Sequence, residues 1–266
     1  MKPYTDHFSR LAPSYASCRP GYPDQLFAYL ASLVDRRELA WDCAAGSGQA
    51  TLALVNHFNH VVATDLSRSM LDQAPAHRRI EYRVAPAQAS GLAAATVDLV
   101  TVAQALHWLD ITPFYVEVER VLVPGGILAV WTYGAQELDE PALQRELTRF
   151  YSRVVGPCWP PERRHVESGY RTLPFPFPDL QPPAFRMEQH WIGPCRSSSA
   201  MCALGQPLIA SGSRWDTIPW IDWKRTWRLT GQTPRRHAGS AGSSVFVWAA
   251  SRDWTAPLYY IGRVSH

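Results

Sequence analysis

Acidic and small residues follow three of the apolar segments in this sequence. Asp42 lies at the end of the first segment, and the Ala-Ala-Gly-Ser-Gly-Gln shortly after it contains Gly46 and Gly48, which let a ligand approach the backbone closely. Asp65 ends the second segment, at about the distance from Gly48 where an acid accepts hydrogen bonds from ribose hydroxyls in dinucleotide folds. Ala-Gln-Ala-Leu-His-Trp begins at the end of the apolar segment at 97–103. If the segments are parallel strands, their ends share one edge, and these residues predict a nucleoside site.

The turn after Asp42 decides which nucleoside fits. A dinucleotide site needs a third glycine, or alanine, three positions after its second, but Gly48 is followed by Gln-Ala-Thr. The carboxylate of Asp42 would also repel a phosphate and attract a cation. A sulfonium nucleoside with an amino-acid tail therefore fits better than NAD. A nicotinamide oxidoreductase is the alternative, and NADH binding that depends on Asp65 would favour it.

Strands and helices must alternate along the chain to bring these residues together. Short apolar runs predict strands at 39–43, 61–64, 80–84, 97–103 and 126–132. Apolar residues at helical spacing predict helices over 24–36, 50–58, 67–74 with Ser67 as N-cap, 114–121 and 141–155. Two further strands are predicted at 185–191 and 256–262. This alternation predicts an α/β fold with a doubly wound, mostly parallel sheet, whose strands are buried on both faces.

Composition restricts the possible functions. Against 23 acidic residues there are 26 Lys and Arg, a formal net charge of +3, and no cationic run, so nothing indicates nucleic-acid binding. The 5 cysteines are scattered without metal-ligand spacing, which argues against a disulfide framework or a metal site. No apolar stretch resembles a signal peptide or a membrane span. We therefore expect a cytoplasmic protein with no membrane partner; the oligomeric state is left open.

Five stretches of the chain resemble a known family. The family is the class I S-adenosylmethionine-dependent methyltransferases, and within it the branch similar to trans-aconitate methyltransferases and related small-molecule enzymes. Together the stretches cover most of residues 6–134 in the family's order. They are DHFSRLAPSYASCRPGYP, WDCAAGSGQAT, VVATDLSRSML, VDLVTVAQALHWLD and ERVLVPGGILAVWTYG.

The resemblance implies S-adenosyl-L-methionine as cofactor and a Rossmann-like, seven-stranded sheet with an antiparallel last strand and a cap from both chain ends. It implies three domains or segments: an N-terminal helical cap over 1–38, the cofactor-binding core over 39–134, and a substrate cap with the last two strands over 135–266. The implied cofactor contacts are Asp42, Ala44, Gly46 and Gly48 at the methionine end, Asp65 at the ribose, Leu66 beside the adenine, Gln88 near its exocyclic amine, and Gln104, Tyr15 and Arg19 around the cofactor.

Two of these positions depart from the family pattern. Ala44 stands where the fullest pattern has its first glycine, and it adds only a methyl group. Gln88 stands where an acid is usual, and its carbonyl can still accept a hydrogen bond from an amine. Neither departure is expected to abolish cofactor binding.

The resemblance also predicts an in-line methyl transfer to a small molecule. The protein would contribute mainly by holding the acceptor about 3 to 3.5 Å from the methyl carbon in a dry pocket. A carboxylate acceptor needs no base, whereas for a hydroxyl or an amine His107 is the candidate catalytic base. The acceptor is expected against Trp108, Trp159, Arg163 and Tyr170, with Arg163 or Arg164 pairing with a carboxylate. The alternatives are that His107 and Trp108 only pack at the rim of the sheet and that the arginines are solvated.

The tract from 192 to 253 sustains neither helical nor strand periodicity. Related enzymes continue here with a sequence like Gly-Tyr-Val-Arg-Thr-Trp-Ser, and a one-base shift of degenerate codons for residues 200–206 permits that peptide. The sequence thus predicts a frameshift that begins near 191–195 and ends before 256, so that the tract is poorly ordered; a divergent natural cap is the alternative. A frameshift would favour a second function, a catalytically impaired S-adenosylmethionine-binding remnant.

Overall fold

A mostly parallel sheet forms the centre of the protein. The computed structural model describes residues 22–132, 141–178, 180 and 258–264. Within these residues the sheet has six strands in the order β3-β2-β1-β4-β5-β6, with β6 antiparallel to β5 and the other pairs parallel. The strands are β1 Leu39–Cys43, β2 His60–Asp65, β3 Ile80–Val84, β4 Val97–Ala103, β5 Leu122–Trp131 and β6 Leu258–Arg263.

Helices connect the strands and cover the sheet. The α-helices are α1 Asp24–Ser32, α2 Gln49–Leu54, α3 Arg68–Leu71, α4 Ile111–Val121, α5 Pro141–Arg149 and α6 Arg163–Glu167. A 3-10 turn, Leu106–Trp108, follows β4, while a π-helical segment, Phe150–Val155, and a second 3-10 turn, Gly156–Cys158, follow α5. No helix in the described residues is both long and apolar enough to span a membrane.

Apolar side chains pack on both faces of the sheet, as expected for a doubly wound fold. On one face, Trp41 and Val100 pack with Phe114 of α4. On the other, Phe27 of α1 and Trp131 of β5 meet edge to face at 6.1 Å. The predicted α/β fold with a mostly parallel sheet is therefore confirmed.

Several predicted elements differ from the structure at their ends. The helix predicted over 24–36 ends at Ser32, and β5 begins at Leu122 rather than at 126, because Leu122 already pairs with Val97. Ser67 caps α3 as predicted, since its Oγ accepts a hydrogen bond from the backbone N–H of Met70. The predicted strand 185–191 and the tract 192–253 lie outside the described residues, so the seventh strand and the frameshift stay predictions.

Two buried acids fix segments that support the sheet. Asp98, at the start of β4, accepts hydrogen bonds from Arg36 Nε and from the backbone N–H of Glu38 and Leu39. Glu117 of α4 accepts hydrogen bonds from the Ser90 backbone N–H and from Arg120. Burial by itself would raise the pKa of Glu117, but these hydrogen bonds outweigh it and leave the pKa below its ordinary value. Glu117 thus holds the β3–β4 connection, which carries Gln88, against α4.

Candidate functional site

The turn between β1 and α2 needs left-handed backbone at three positions. The φ angles are +57° at Ala44, +58° at Gly46 and +83° at Gly48. A Cβ on Gly48 would lie 3.1 Å from the Tyr82 hydroxyl and 3.2 Å from Ala74, so this glycine also allows α2 to pack closely on its neighbours. Among the described residues, a Cβ on Gly46 would meet only the Met70 methyl, at 3.4 Å. The left-handed φ of Ala44 explains why glycine is usual at this position. The backbone must adopt a conformation that is unfavourable for residues with a Cβ, whereas steric space for the side chain is not the requirement.

Asp42 lies beneath this turn and is 1% exposed. Its Oδ2 accepts a hydrogen bond from Thr51 Oγ1 at 2.6 Å, and its Oδ1 accepts one from Thr101 Oγ1 at 2.8 Å. Burial raises the pKa of Asp42 to about 6, although both hydroxyls oppose the shift. Sequence reasoning missed the two threonines. The signal that could have identified them is that each is a polar residue within an otherwise apolar pattern, Thr51 in α2 and Thr101 in β4.

Asp65, at the end of β2, connects two loops at the carboxyl edge of the sheet. Its Oδ2 accepts a hydrogen bond from the backbone N–H of Gly46 at 2.8 Å, and its Oδ1 accepts one from the backbone N–H of Ser67 at 2.8 Å. The predicted neighbours Asp42, Gly46 and Asp65 are thus brought together by adjacent strands. An acid fixed in this way can accept hydrogen bonds from vicinal hydroxyls beside the turn.

An apolar surface lies next to Asp65. Leu66 is 42% exposed and Val84 is 44% exposed, and Val84 faces Asp65 across the β2–β3 pair. Two large exposed apolar side chains at neighbouring strand ends suit the flat face of a purine. Val84 was missed by sequence reasoning because it reads as the ordinary end of a strand. Gln88 is half-buried in the connection that Glu117 holds.

Gln104 follows β4 in a strained conformation, with φ +62°. It is 5% exposed, its Oε1 accepts a hydrogen bond from Thr132 Oγ1 at 2.8 Å, and its backbone N–H donates to the Trp131 carbonyl at 2.9 Å. Its Nε2 is buried without a hydrogen-bond partner in the described part of the chain. Strain and an unsatisfied donor are costly in a core and are typical of a ligand site.

His107 and Tyr170 form a buried pair beside this strand end. His107 lies in the Leu106–Trp108 turn, and its Nδ1 lies 3.0 Å from the Tyr170 hydroxyl. The His107 ring is 4.6 Å from the Trp108 ring and 5.8 Å from the Tyr170 ring, centroid to centroid. Tyr170 is fully buried, has φ +60° and contacts His107. Contact of these three residues with an acceptor stays a prediction.

The two arginines named as acceptor ligands differ in burial. Arg163 is 3% exposed and packs against the half-buried Trp159, so the alternative of a solvated arginine is wrong for Arg163. Arg164 is exposed, as that alternative expects. Tyr15 and Arg19, the predicted contacts from the N-terminal segment, lie outside the described residues. In the described ranges no group of His, Cys, Asp and Glu is arranged to hold a metal ion.

Comparisons with known proteins identify the family of this chain. A family model described as a methyltransferase domain matches residues 41–130. The chain is 36% identical over 178 residues to an uncharacterized methyltransferase of Mycobacterium tuberculosis H37Rv, covering 65% of this chain and 67% of that protein. It is 35% identical over 170 residues to a candidate methyltransferase of Dictyostelium discoideum, covering 63% and 65% respectively. The chain therefore matches about two thirds of the length of these relatives.

A solved structure extends the match. A candidate type II methyltransferase from Anaeromyxobacter dehalogenans is similar with a TM-score of 0.71 at 35% identity, covering 93% of this chain and 99% of that one. The cofactor of such enzymes is S-adenosylmethionine, and it fits what the described residues provide: an acid beside a left-handed turn, an apolar surface for a base, and an unsatisfied amide. Because fold, site geometry and relatives agree, we conclude that this chain belongs to the class I S-adenosylmethionine-dependent methyltransferases.

Proposed function

We propose that this protein transfers a methyl group from S-adenosylmethionine to a carboxylate or hydroxyl oxygen of a small molecule. The observation that carries the proposal is the placement of Asp65 on the Gly46 turn, with Asp42 buried beneath it, at the ends of adjacent parallel strands. Family membership favours an enzyme over the impaired remnant. The trans-aconitate-like subtype stays a prediction.

The cofactor-binding residues would each have a distinct task. Asp65 would accept hydrogen bonds from the ribose hydroxyls, and Leu66 with Val84 would pack on the adenine. Gln88 would accept a hydrogen bond from the exocyclic amine. The negative charge of Asp42 would favour the positively charged methionine end, because opposite charges attract strongly where water is excluded.

The remaining residues would hold the acceptor. When bound, S-adenosylmethionine supplies a methyl carbon whose bond to sulfur breaks, with its electron pair going to sulfur, as the bond to the acceptor oxygen forms. A carboxylate acceptor becomes a neutral ester and needs no base. A hydroxyl acceptor also loses a proton, which His107 would accept while Tyr170 fixes the orientation of the imidazole at Nδ1.

Calorimetric titration of the full chain tests the proposal. We expect binding of both S-adenosylmethionine and S-adenosylhomocysteine, and methylated products in an acceptor panel of small carboxylic acids and alcohols analysed by mass spectrometry. NADH is the control ligand and should not bind. Binding of NADH in place of both sulfur nucleosides would contradict the proposal, and sulfur-nucleoside binding without any product would favour the remnant.

Cofactor affinity is expected to depend on pH through Asp42. Protonation removes the negative charge that favours the sulfonium, so S-adenosylmethionine affinity should fall as pH drops through the free protein's pKa of about 6. The fall should be at most about tenfold per pH unit, because binding and loss of one proton are linked. Asp42→Asn should remove this dependence, whereas the exposed Asp72→Asn should keep it. The same slope in wild type and Asp42→Asn, measured calorimetrically from pH 5 to 8, would exclude Asp42 as the titrating group.

A further inference from the structure

A buried positive charge lies in the segment after β5. Arg163, on α6, is 3% exposed, and its Nε donates a hydrogen bond to the Tyr151 hydroxyl at 2.7 Å. In the described part of the chain no carboxylate lies within ion-pair distance of Arg163, and its two terminal nitrogens have no hydrogen-bond partner. Buried charges in proteins are normally paired, since an unpaired buried charge is strongly destabilising.

Aromatic rings compensate this charge only in part. The Arg163 guanidinium carbon lies 4.8 Å from the Trp159 ring centroid and 5.5 Å from the Tyr151 ring centroid. These cation–π contacts stabilise the charge, but ring faces leave the terminal N–H groups without a strong acceptor. Trp159 adds a second donor, because its Nε1 is buried with no hydrogen-bond partner in the described residues. A buried donor without an acceptor, Trp159 Nε1, therefore lies beside a guanidinium that has no anionic partner among the described residues.

The position of this pair relates it to the reacting site. Helix α6 packs against the Leu106–Trp108 turn, which follows β4 at the carboxyl edge of the sheet. Val166, three positions after Arg163, is buried in the core face that also contains Leu106. Arg163 thus belongs to a helix that lies directly on the turn carrying His107, and Trp159, just before this helix, contacts the Arg163 guanidinium.

We propose that Arg163, together with Trp159 Nε1, binds an anionic group of the methyl acceptor. This inference rests on the proposed function and narrows its substrate class to acceptors that carry a carboxylate or a phosphate. A guanidinium presents its N–H groups in a flat fork that matches both groups and forms short, charge-assisted hydrogen bonds. Tyr151 holds Nε, which leaves the terminal nitrogens to face the anion.

Anion binding to the full chain loaded with S-adenosylhomocysteine tests the proposal. Calorimetry with benzoate, glutarate and phenyl phosphate is compared with the uncharged benzamide, glutaramide and phenol. We expect at least one anion to bind at least about tenfold more tightly than its uncharged counterpart, the scale of charge-assisted hydrogen bonds. Comparing the affinity for phenyl phosphate with the affinities for benzoate and glutarate shows whether the site prefers a phosphate or a carboxylate.

Matched variants assign the binding to Arg163. Arg163→Gln should weaken binding of that anion by at least about tenfold, while Arg164→Gln, at the exposed neighbour, should leave it unchanged. Trp159→Phe should cause a smaller loss, since it keeps a ring and removes the Nε1 donor. If Arg163→Gln does not fold, Arg163→Lys keeps the charge, lacks the fork and should still weaken binding.

Four results would overturn this inference: no tested anion binds, the uncharged analogues bind equally well, the Arg163 variants bind the anion as tightly as wild type, or Arg164→Gln weakens binding as much as the Arg163 variants. Binding of S-adenosylhomocysteine separates this failure from failure of the proposed function. If the nucleoside binds and the anions do not, only the anion site is wrong. If the nucleoside does not bind either, the proposed function is wrong as well.

Discussion

Gly46→Val should reduce the affinity for S-adenosylhomocysteine more than about a hundredfold, a loss of roughly 2.7 kcal/mol. The backbone at Gly46 has φ +58°, which costs a residue with a Cβ about 1–2 kcal/mol and a β-branched residue more. Relaxation of that strain would move the backbone N–H of Gly46 away from Asp65. The valine methyl groups would also occupy the space in which the ligand approaches the turn. Calorimetric titration of the full chain measures the loss.

A second glycine variant controls for backbone strain. Gly125, at the opposite end of the sheet, has φ +80°, and a Cβ there would meet Arg263 Nη1 at 3.7 Å. Gly125→Val should lower the melting temperature about as much as Gly46→Val does, but the Gly125→Val protein should still bind the nucleoside. If Gly46→Val binds as well as wild type, the turn does not face the ligand. If both variants lose binding to the same extent, general destabilisation explains the effect.

Asp65→Ala should weaken nucleoside binding by about 1–3 kcal/mol, or about 5- to 150-fold, the cost of losing hydrogen bonds to a charged group. The carboxylate is proposed to accept from the ribose, and it also accepts from the backbone N–H groups of Gly46 and Ser67. Alanine removes both contributions. Calorimetry gives the affinity, and thermal unfolding without ligand gives the structural part of the change.

Two controls separate ribose binding from loop support. Asp65→Asn keeps one acceptor oxygen and the side-chain shape, so its affinity should lie between those of wild type and Asp65→Ala. Asp72→Ala, at an exposed acid, should have no effect. If Asp65→Ala binds S-adenosylhomocysteine as tightly as wild type, Asp65 does not contact the ribose.

Local patterns were enough to predict the elements that carry the site. The unbroken apolar runs at β1, β2 and β4 indicated strands buried on both faces, and Ser67 was identified as a helix cap from residue type alone. These features depend on residues within a few positions of each other. The end of α1 and the start of β5 were predicted less well, and the start of β5 is determined by the pairing of Leu122 with the distant Val97.

Contacts between distant residues determined the remaining features of the site. Thr101 lies 59 positions from Asp42, and no local pattern relates a strand hydroxyl to an acid so far away. The burial of Arg163 had the same origin: a solvated arginine was the alternative considered from the sequence, but in the folded chain its guanidinium packs against the rings of Tyr151 and Trp159.

By itself the sequence determined the order of strands and helices, the chemistry of the Asp42–Gly48 turn and the position of Asp65, since backbone preference and hydrophobic periodicity are encoded locally. Only the tertiary structure decided which hydroxyls hold Asp42, which apolar side chains stay exposed beside Asp65, and that Arg163 is buried with no ion-pair partner among the described residues. The physical reason is that burial and hydrogen-bond partners depend on which segments pack together, and that is a property of the whole chain.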